Sequence, residues 1–191
     1  SAKMWIGTNP KVLKNGTRAQ KLSIYNEKCY IAGYGNNEVN EVEEARIWID
    51  GQAYNKLSQD NDEKNKNGDY PAMANDIASD GDNWWCVGQE RNSGVGYLPK
   101  VWINRSNNNL KREGPASSLS CIKYENGTFY IGGNDGYHAM YWSATQKSSK
   151  ENRLNNCQEH DLSSGVTQAK VDDIDVLNGI VVCCGYERSA A

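Results

Sequence analysis

The stretch Ser118–Trp142, SLSCIKYENGTFYIGGNDGYHAMYW, decides the fold class. It reads as an apolar strand, a tight turn at Asn126-Gly127, and a second strand running into Gly132-Gly133. A polar loop follows, then a third strand carrying Trp142. Period-two alternation bounded by turn residues is a strand signal, and Asn-Gly supplies the positive φ angles a two-residue hairpin needs.

The same unit recurs along the chain. Its second strand has four copies, each expected to end at a glycine: Cys29–Gly33, Trp84–Gly88, Phe129–Gly133 and Val181–Gly185. Eight residues before the column Tyr30, Trp85, Tyr130 and Val182 stand Leu22, Ile77, Ile122 and Ile174. Ile24, Ser79, Tyr124 and Val176 stand six before it. Columns two apart are what one face of a repeated strand requires. The third strand repeats around Trp48, Trp102 and Trp142, and Leu57, Leu110 and Leu154 mark a fourth strand after each.

The ends complete the pattern. Ala2–Ile6 with Leu13 reads as a third and fourth strand, and Val171–Gly185 as a first and second. The expected fold is therefore all-β: a small β-propeller of four four-stranded blades whose last blade is closed by strands from both termini. Residues 1–191 form one domain, with blades at 17–57, 72–110, 117–154 and 169–186, the last completed by 2–14. The alternative is a piece of a larger propeller whose open ends pair between chains, so monomer and strand-exchanged oligomer both stay open.

Phe129–Gly133 with its aromatic third strand, and the run from Tyr30 through Ala45–Ile49 to Leu57, resemble Kelch-type and related exported bacterial repeat propellers. The resemblance implies a non-catalytic recognition role, secreted or at a cell surface.

Composition narrows the partners. The chain has 191 residues, 38% of them hydrophobic, with 21 basic and 24 acidic side chains and a net charge of -3. Neither sign forms a block, which argues against nucleic acid or an anionic membrane surface. No apolar run approaches the roughly 18 residues a membrane helix needs, and no leader stands at Ser1. The six cysteines (29, 86, 121, 157, 183, 184) lack the spacing of a disulfide scaffold or a metal site and read mainly as core thiols. Sequons at Asn15, Asn104 and Asn126 carry little weight in an Asn-rich chain.

Long polar loops fall on one face of the expected propeller, where binding residues concentrate. Just past the four glycines stand Tyr34, then Gln89-Glu90-Arg91, Asn134-Asp135 and Tyr186-Glu187-Arg188, expected to ring the mouth of a ligand site. Tyrosines, carboxylates and guanidinium groups suit a glycan or other polar ligand. A protein partner would instead use Tyr70, Trp84 and Tyr97 as aromatic anchors. Trp5, Trp48, Trp102 and Trp142 share one strand position and read as packing residues.

No cofactor is expected. Asp60, Asp62, Asn65, Asn67 and Asp69 are spaced loosely like a calcium loop, without its glycine and terminal glutamate. No nucleophile or phosphate-loop motif occurs, and His138 and His160 lie in expected loops, so a glycoside-processing enzyme is the lesser alternative.

Overall fold

The structure, a computed structural model, describes residues 1–36, 41–57, 71–92, 96–104, 106–109, 117–146, 153–164 and 168–189. Among them every regular element is a strand. A first hairpin comprises β1 (Lys3–Ile6) and β2 (Asn9–Val12). Three four-stranded antiparallel meanders follow. The first is β3 (Arg18–Tyr25), β4 (Lys28–Asn36), β5 (Glu43–Ile49) and β6 (Gln52–Lys56). The second is β7 (Ala72–Ser79), β8 (Trp84–Asn92), β9 (Gly96–Ile103) and β10 (Ser106–Asn109). The third is β11 (Ser117–Glu125), β12 (Thr128–Asp135), β13 (His138–Gln146) and β14 (Leu154–Asp161). A last hairpin pairs β15 (Gln168–Leu177) with β16 (Ile180–Arg188).

The turns fix the registers. Asn126 and Gly127 both have positive φ, and so do Asn178 and Gly179, the geometry that matches strand twist in a two-residue hairpin. Pro10 sits on the edge strand β2, where its missing N–H costs no ladder bond.

The sheets pack face to face in chain order, and each interface is its own core. Between the first and second sheets lie Tyr30, Ala32, Ile47, Ile77, Trp84 and Trp102. Between the second and third lie Trp85, Val87, Ile103, Ile122, Phe129 and Trp142. The last hairpin seats Val171 and Ile174 beside Cys121, Tyr130 and Tyr141. The first hairpin seats Ala2 and Leu13 on Ile31 and Trp48.

Several expectations need correction. The second strands do not end at their glycines but run on to Asn36, Asn92, Asp135 and Arg188. A Cβ at Gly33, Gly88, Gly133 or Gly185 would overlap the backbone carbonyl of Arg18, Met73, Ser118 or Lys170, so close strand approach, not a turn, requires the glycine. The position equivalent to Leu13 and Leu57 in the third sheet is Leu162, not Leu154. Leu13, Leu57 and Leu162 donate to the carbonyls of Ala2, Ala45 and Ala139, so this unit extends beyond residue 154. Trp84 is buried, packed edge-on to Tyr54 at a centroid distance of 6.2 Å. Trp5 is 63% exposed, whereas Trp48, Trp102 and Trp142 are buried as expected.

Most consequentially, β1–β2 and β15–β16 stand as separate two-stranded sheets. The sheet expected from both termini is not joined in this structure. Each hairpin is held by a different neighbour, the first by Ile31 and Trp48, the last by Tyr130 and Tyr141.

Candidate functional site: a polar cavity built from four bulges

The first strand of each sheet from β3 onward carries the same irregularity. The ladder shifts between Ala19 and Lys21 in β3, Ala74 and Asp76 in β7, Leu119 and Cys121 in β11, and Val171 and Asp173 in β15. The unpaired residues are Gln20, Asn75, Ser120 and Asp172. A bulge bends its strand and re-aims the extra side chain. All four line one cavity of about 320 Å³, together with Lys21, Gln89, Ser118 and Lys170.

The glycines make the bulges possible. Gly33, Gly88, Gly133 and Gly185 each pair with the residue just before the extra one, where the bent strand leaves no room for a side chain. The repeated glycine therefore marks the bulge in each strand that lines the cavity.

Hydrogen bonds tie two of these first strands, β7 and β11, together. Asn75 Nδ2 donates to the carbonyl of Leu119 at 2.8 Å. Asp76, buried, accepts from the backbone N–H of Ile77 at 2.8 Å and of Ile122 at 3.0 Å. Burial pushes its carboxyl above the ordinary range, and the two N–H groups and Lys21 only partly offset this. Lys21 reaches Asp173 at 3.7 Å from the opposite end of the array, and Lys170 stands 3.7 Å from Asp172. Both contacts are loose and partly solvated, so the ammonium groups remain able to meet a ligand. Ser120 Oγ is buried without a hydrogen-bond partner. An unsatisfied buried hydroxyl costs free energy that a ligand acceptor would return.

Of the ring expected past the glycines, Gln89 lines this cavity. The others lie on continuing strand, where side chains alternate between faces. Tyr34 is half-buried within its ladder. Glu90 is buried against the equally buried Lys100 at 3.3 Å. Arg91 is exposed. Asn134 accepts from Ser118 Oγ at 2.8 Å, and Asp135 from Ser117 Oγ at 2.7 Å. Glu187 accepts from the Ser164 N–H at 3.0 Å and its hydroxyl at 2.9 Å. Arg188 lies over the Tyr186 ring at 5.5 Å. Among the alternative anchors Tyr97 is half-buried, and Tyr70 lies outside the described residues. The calcium-like positions Asp60, Asp62, Asn65, Asn67 and Asp69 lie outside them too.

A serine, a histidine and an aspartate do meet on the third unit, in the wrong order for a triad. His138 Nδ1 lies 2.9 Å from Asp161 Oδ2 and 3.1 Å from Ser163 Oγ, while that hydroxyl donates to Asp161 Oδ1 at 2.6 Å. A catalytic serine must meet the ring nitrogen opposite the carboxylate. Slight burial would raise the Asp161 carboxyl, but the Ser163 hydroxyl and N–H and His138 outweigh it and hold it below its ordinary value. The cluster is a turn cap after β14. Among the described residues no group of three or more His, Cys, Asp or Glu is placed to hold a metal. All six cysteines are free, and burial raises the Cys86 and Cys121 thiols away from the reactive thiolate form.

The cavity has a signal in the sequence, a break in period within each first strand. Ala19 to Leu22, Ala74 to Ile77, Leu119 to Ile122 and Val171 to Ile174 are apolar pairs with two residues between them, one more than strict alternation allows. That break in period is the bulge. Compared with family models and with curated protein sequences, the chain matches none.

Proposed function

We propose that this chain is a small four-unit β-propeller acting as a non-catalytic recognition protein, and that a compact polar ligand, a saccharide of one or two units, binds in the cavity where its four inner strands converge. The observation that carries the reading is the fourfold bulge. Four independent strands each depart from regular pairing at the same position, and each sends a polar side chain into one space.

The lining sets the chemistry. Amides at Gln20, Asn75 and Gln89 and hydroxyls at Ser118 and Ser120 alternate donors and acceptors, while Lys21 and Lys170 stand near carboxylates that balance them. Among the described residues no aromatic ring lines the cavity, so recognition runs through hydrogen bonds to hydroxyls and not through ring stacking. A volume of about 320 Å³ suits a ligand of that size. The Kelch-like resemblance adds a role outside the cell or at its surface to the same proposal.

The test is a saccharide array followed by calorimetric titration of the hits against the parent, Gln20→Ala and Gln89→Ala. Each variant is expected to weaken binding about tenfold, the worth of one or two hydrogen bonds. Binding unchanged in both variants would move the site elsewhere, and turnover of the bound glycosides would make the protein a hydrolase.

A further inference from the structure

The wall of the bulge-lined cavity carries an excess of positive charge. Lys21 and Lys170 line it, and among the described residues Asp172 is the one carboxylate that does. Asp173, which meets Lys21 at 3.7 Å, lines a neighbouring cavity of about 220 Å³ instead, and so does Asp76. The Asp76 carboxylate is further occupied by the N–H groups of Ile77 and Ile122. A ligand in the larger cavity therefore touches two ammonium groups and one carboxylate, in a chain whose net charge is -3. Placement, not composition, gives this surface its sign.

The charges are also gathered to one side. Lys21 stands on β3, and Lys170 and Asp172 on β15, whereas Asn75, Gln89, Ser118 and Ser120 belong to the second and third sheets. Both ammonium groups can exchange partners. Each stands 3.7 Å from its carboxylate, and the Lys21–Asp173 pair is about half exposed. Ion pairs of that kind contribute little, so an anion in the cavity competes with them at small cost. Ser120 Oγ, buried without a partner, can donate to the same anion. Ser118 Oγ already gives its proton to Asn134, which leaves its oxygen to accept from a sugar hydroxyl.

We propose that the ligand of this cavity is a singly charged saccharide, a hydroxylated ring bearing one carboxylate or one sulfate ester. One negative charge matches the single excess ammonium group, whereas a dianionic phosphate would exceed it and be repelled by Asp172. Lys21 and Lys170 read the charge, and the amides and hydroxyls of the second and third sheets read the ring. Hydrogen bonds to an ionised group are roughly twice as strong as neutral ones, so the charge decides among sugars that the amides would accept alike. Such a ligand presupposes the saccharide site proposed above and adds the group that distinguishes one sugar from another.

The test uses methyl glycosides of glucuronic, galacturonic, mannuronic and iduronic acid and the primary sulfate esters of the matching neutral sugars, each beside its uncharged counterpart. All are titrated by calorimetry against the parent, Lys21→Gln and Lys170→Gln, with near-ultraviolet circular dichroism to verify the parental fold of both variants. The expected result is a charged sugar that binds the parent about tenfold more tightly than its uncharged counterpart. Lys21→Gln should remove most of that margin and leave the uncharged sugar's affinity in place. The uronate and sulfate arms distinguish the two anions. Equal affinity of charged and uncharged sugars, or a margin that survives both lysine variants, would overturn the proposal and leave the saccharide site standing. Acetate and sulfate ions complete the panel: if they bind as tightly as the charged sugars, the ring is not read, and the saccharide reading fails with the proposal. Absence of binding across the panel would also overturn both.

Discussion

Asp76 on β7 accepts a hydrogen bond from the backbone N–H of Ile122 on β11 at 3.0 Å, joining two sheets through a buried carboxylate. The other oxygen serves Ile77, so one side chain satisfies two N–H groups at a sheet interface. Replacing it with alanine orphans both. Asp76→Ala is expected to cost about 2–5 kcal/mol in urea unfolding, and an effect below 1 kcal/mol would show that solvent reaches these amides.

The same carboxyl gives a pH dependence with a defined sign. Its folded pKa lies above the ordinary 3.8 because burial disfavours the charge. Between the two values the folded state binds more protons than the unfolded one, so this contribution to stability is largest at low pH and declines as pH rises through the folded pKa. Urea midpoints of the parent minus those of Asp76→Asn should fall across that window. A difference that rises with pH would mean that the two N–H bonds outweigh burial.

Glu90 and Lys100 form a buried ion pair at 3.3 Å, for which each single variant is expected to be costly and the double one milder. Removing either partner takes a countercharge from a buried ion and is expected to cost about 3–5 kcal/mol, while Glu90→Gln/Lys100→Met should recover much of that loss. Additive losses in the double-mutant cycle would rule out direct coupling.

Gly88→Ala tests the bulge. The added methyl meets the carbonyl of Met73, so the strands must part, at about 1–3 kcal/mol. Saccharide binding should weaken along with stability, because Asn75 and Gln89 flank the displaced ladder. An alanine variant with parental affinity and midpoint would remove the link between glycine and cavity.

Trp48 and Trp102 are fully buried, and Trp48 Nε1 donates to the carbonyl of Lys14 at 3.0 Å. Alanine at either position should lower stability by about 3–5 kcal/mol. Melting within a degree or two of the parent would show that these interfaces contribute little.

The repeat, the strand content and most hairpins were legible in the sequence because they rest on local chemistry. Asn126-Gly127 bends the chain whatever surrounds it, and the Leu22, Ile77, Ile122 and Ile174 column follows from period-two alternation. The glycine column was visible, but its role was not. A turn and a tight strand approach both call for glycine, and only the carbonyls of Arg18, Met73, Ser118 and Lys170 identify which applies. The candidate site depends on tertiary structure for the same reason. Gln20, Asn75, Ser120 and Asp172 lie far apart in the chain, and a polar residue in a strand reads as solvent-facing until the packing of the sheets brings four bulges to one cavity. Glu90 shows the converse: it reads as an exposed ligand group, and a lysine on the neighbouring strand makes it an interior one. Alternation and turn chemistry act over a few residues and survive in the bare sequence, whereas burial and convergence are set by which sheet faces meet.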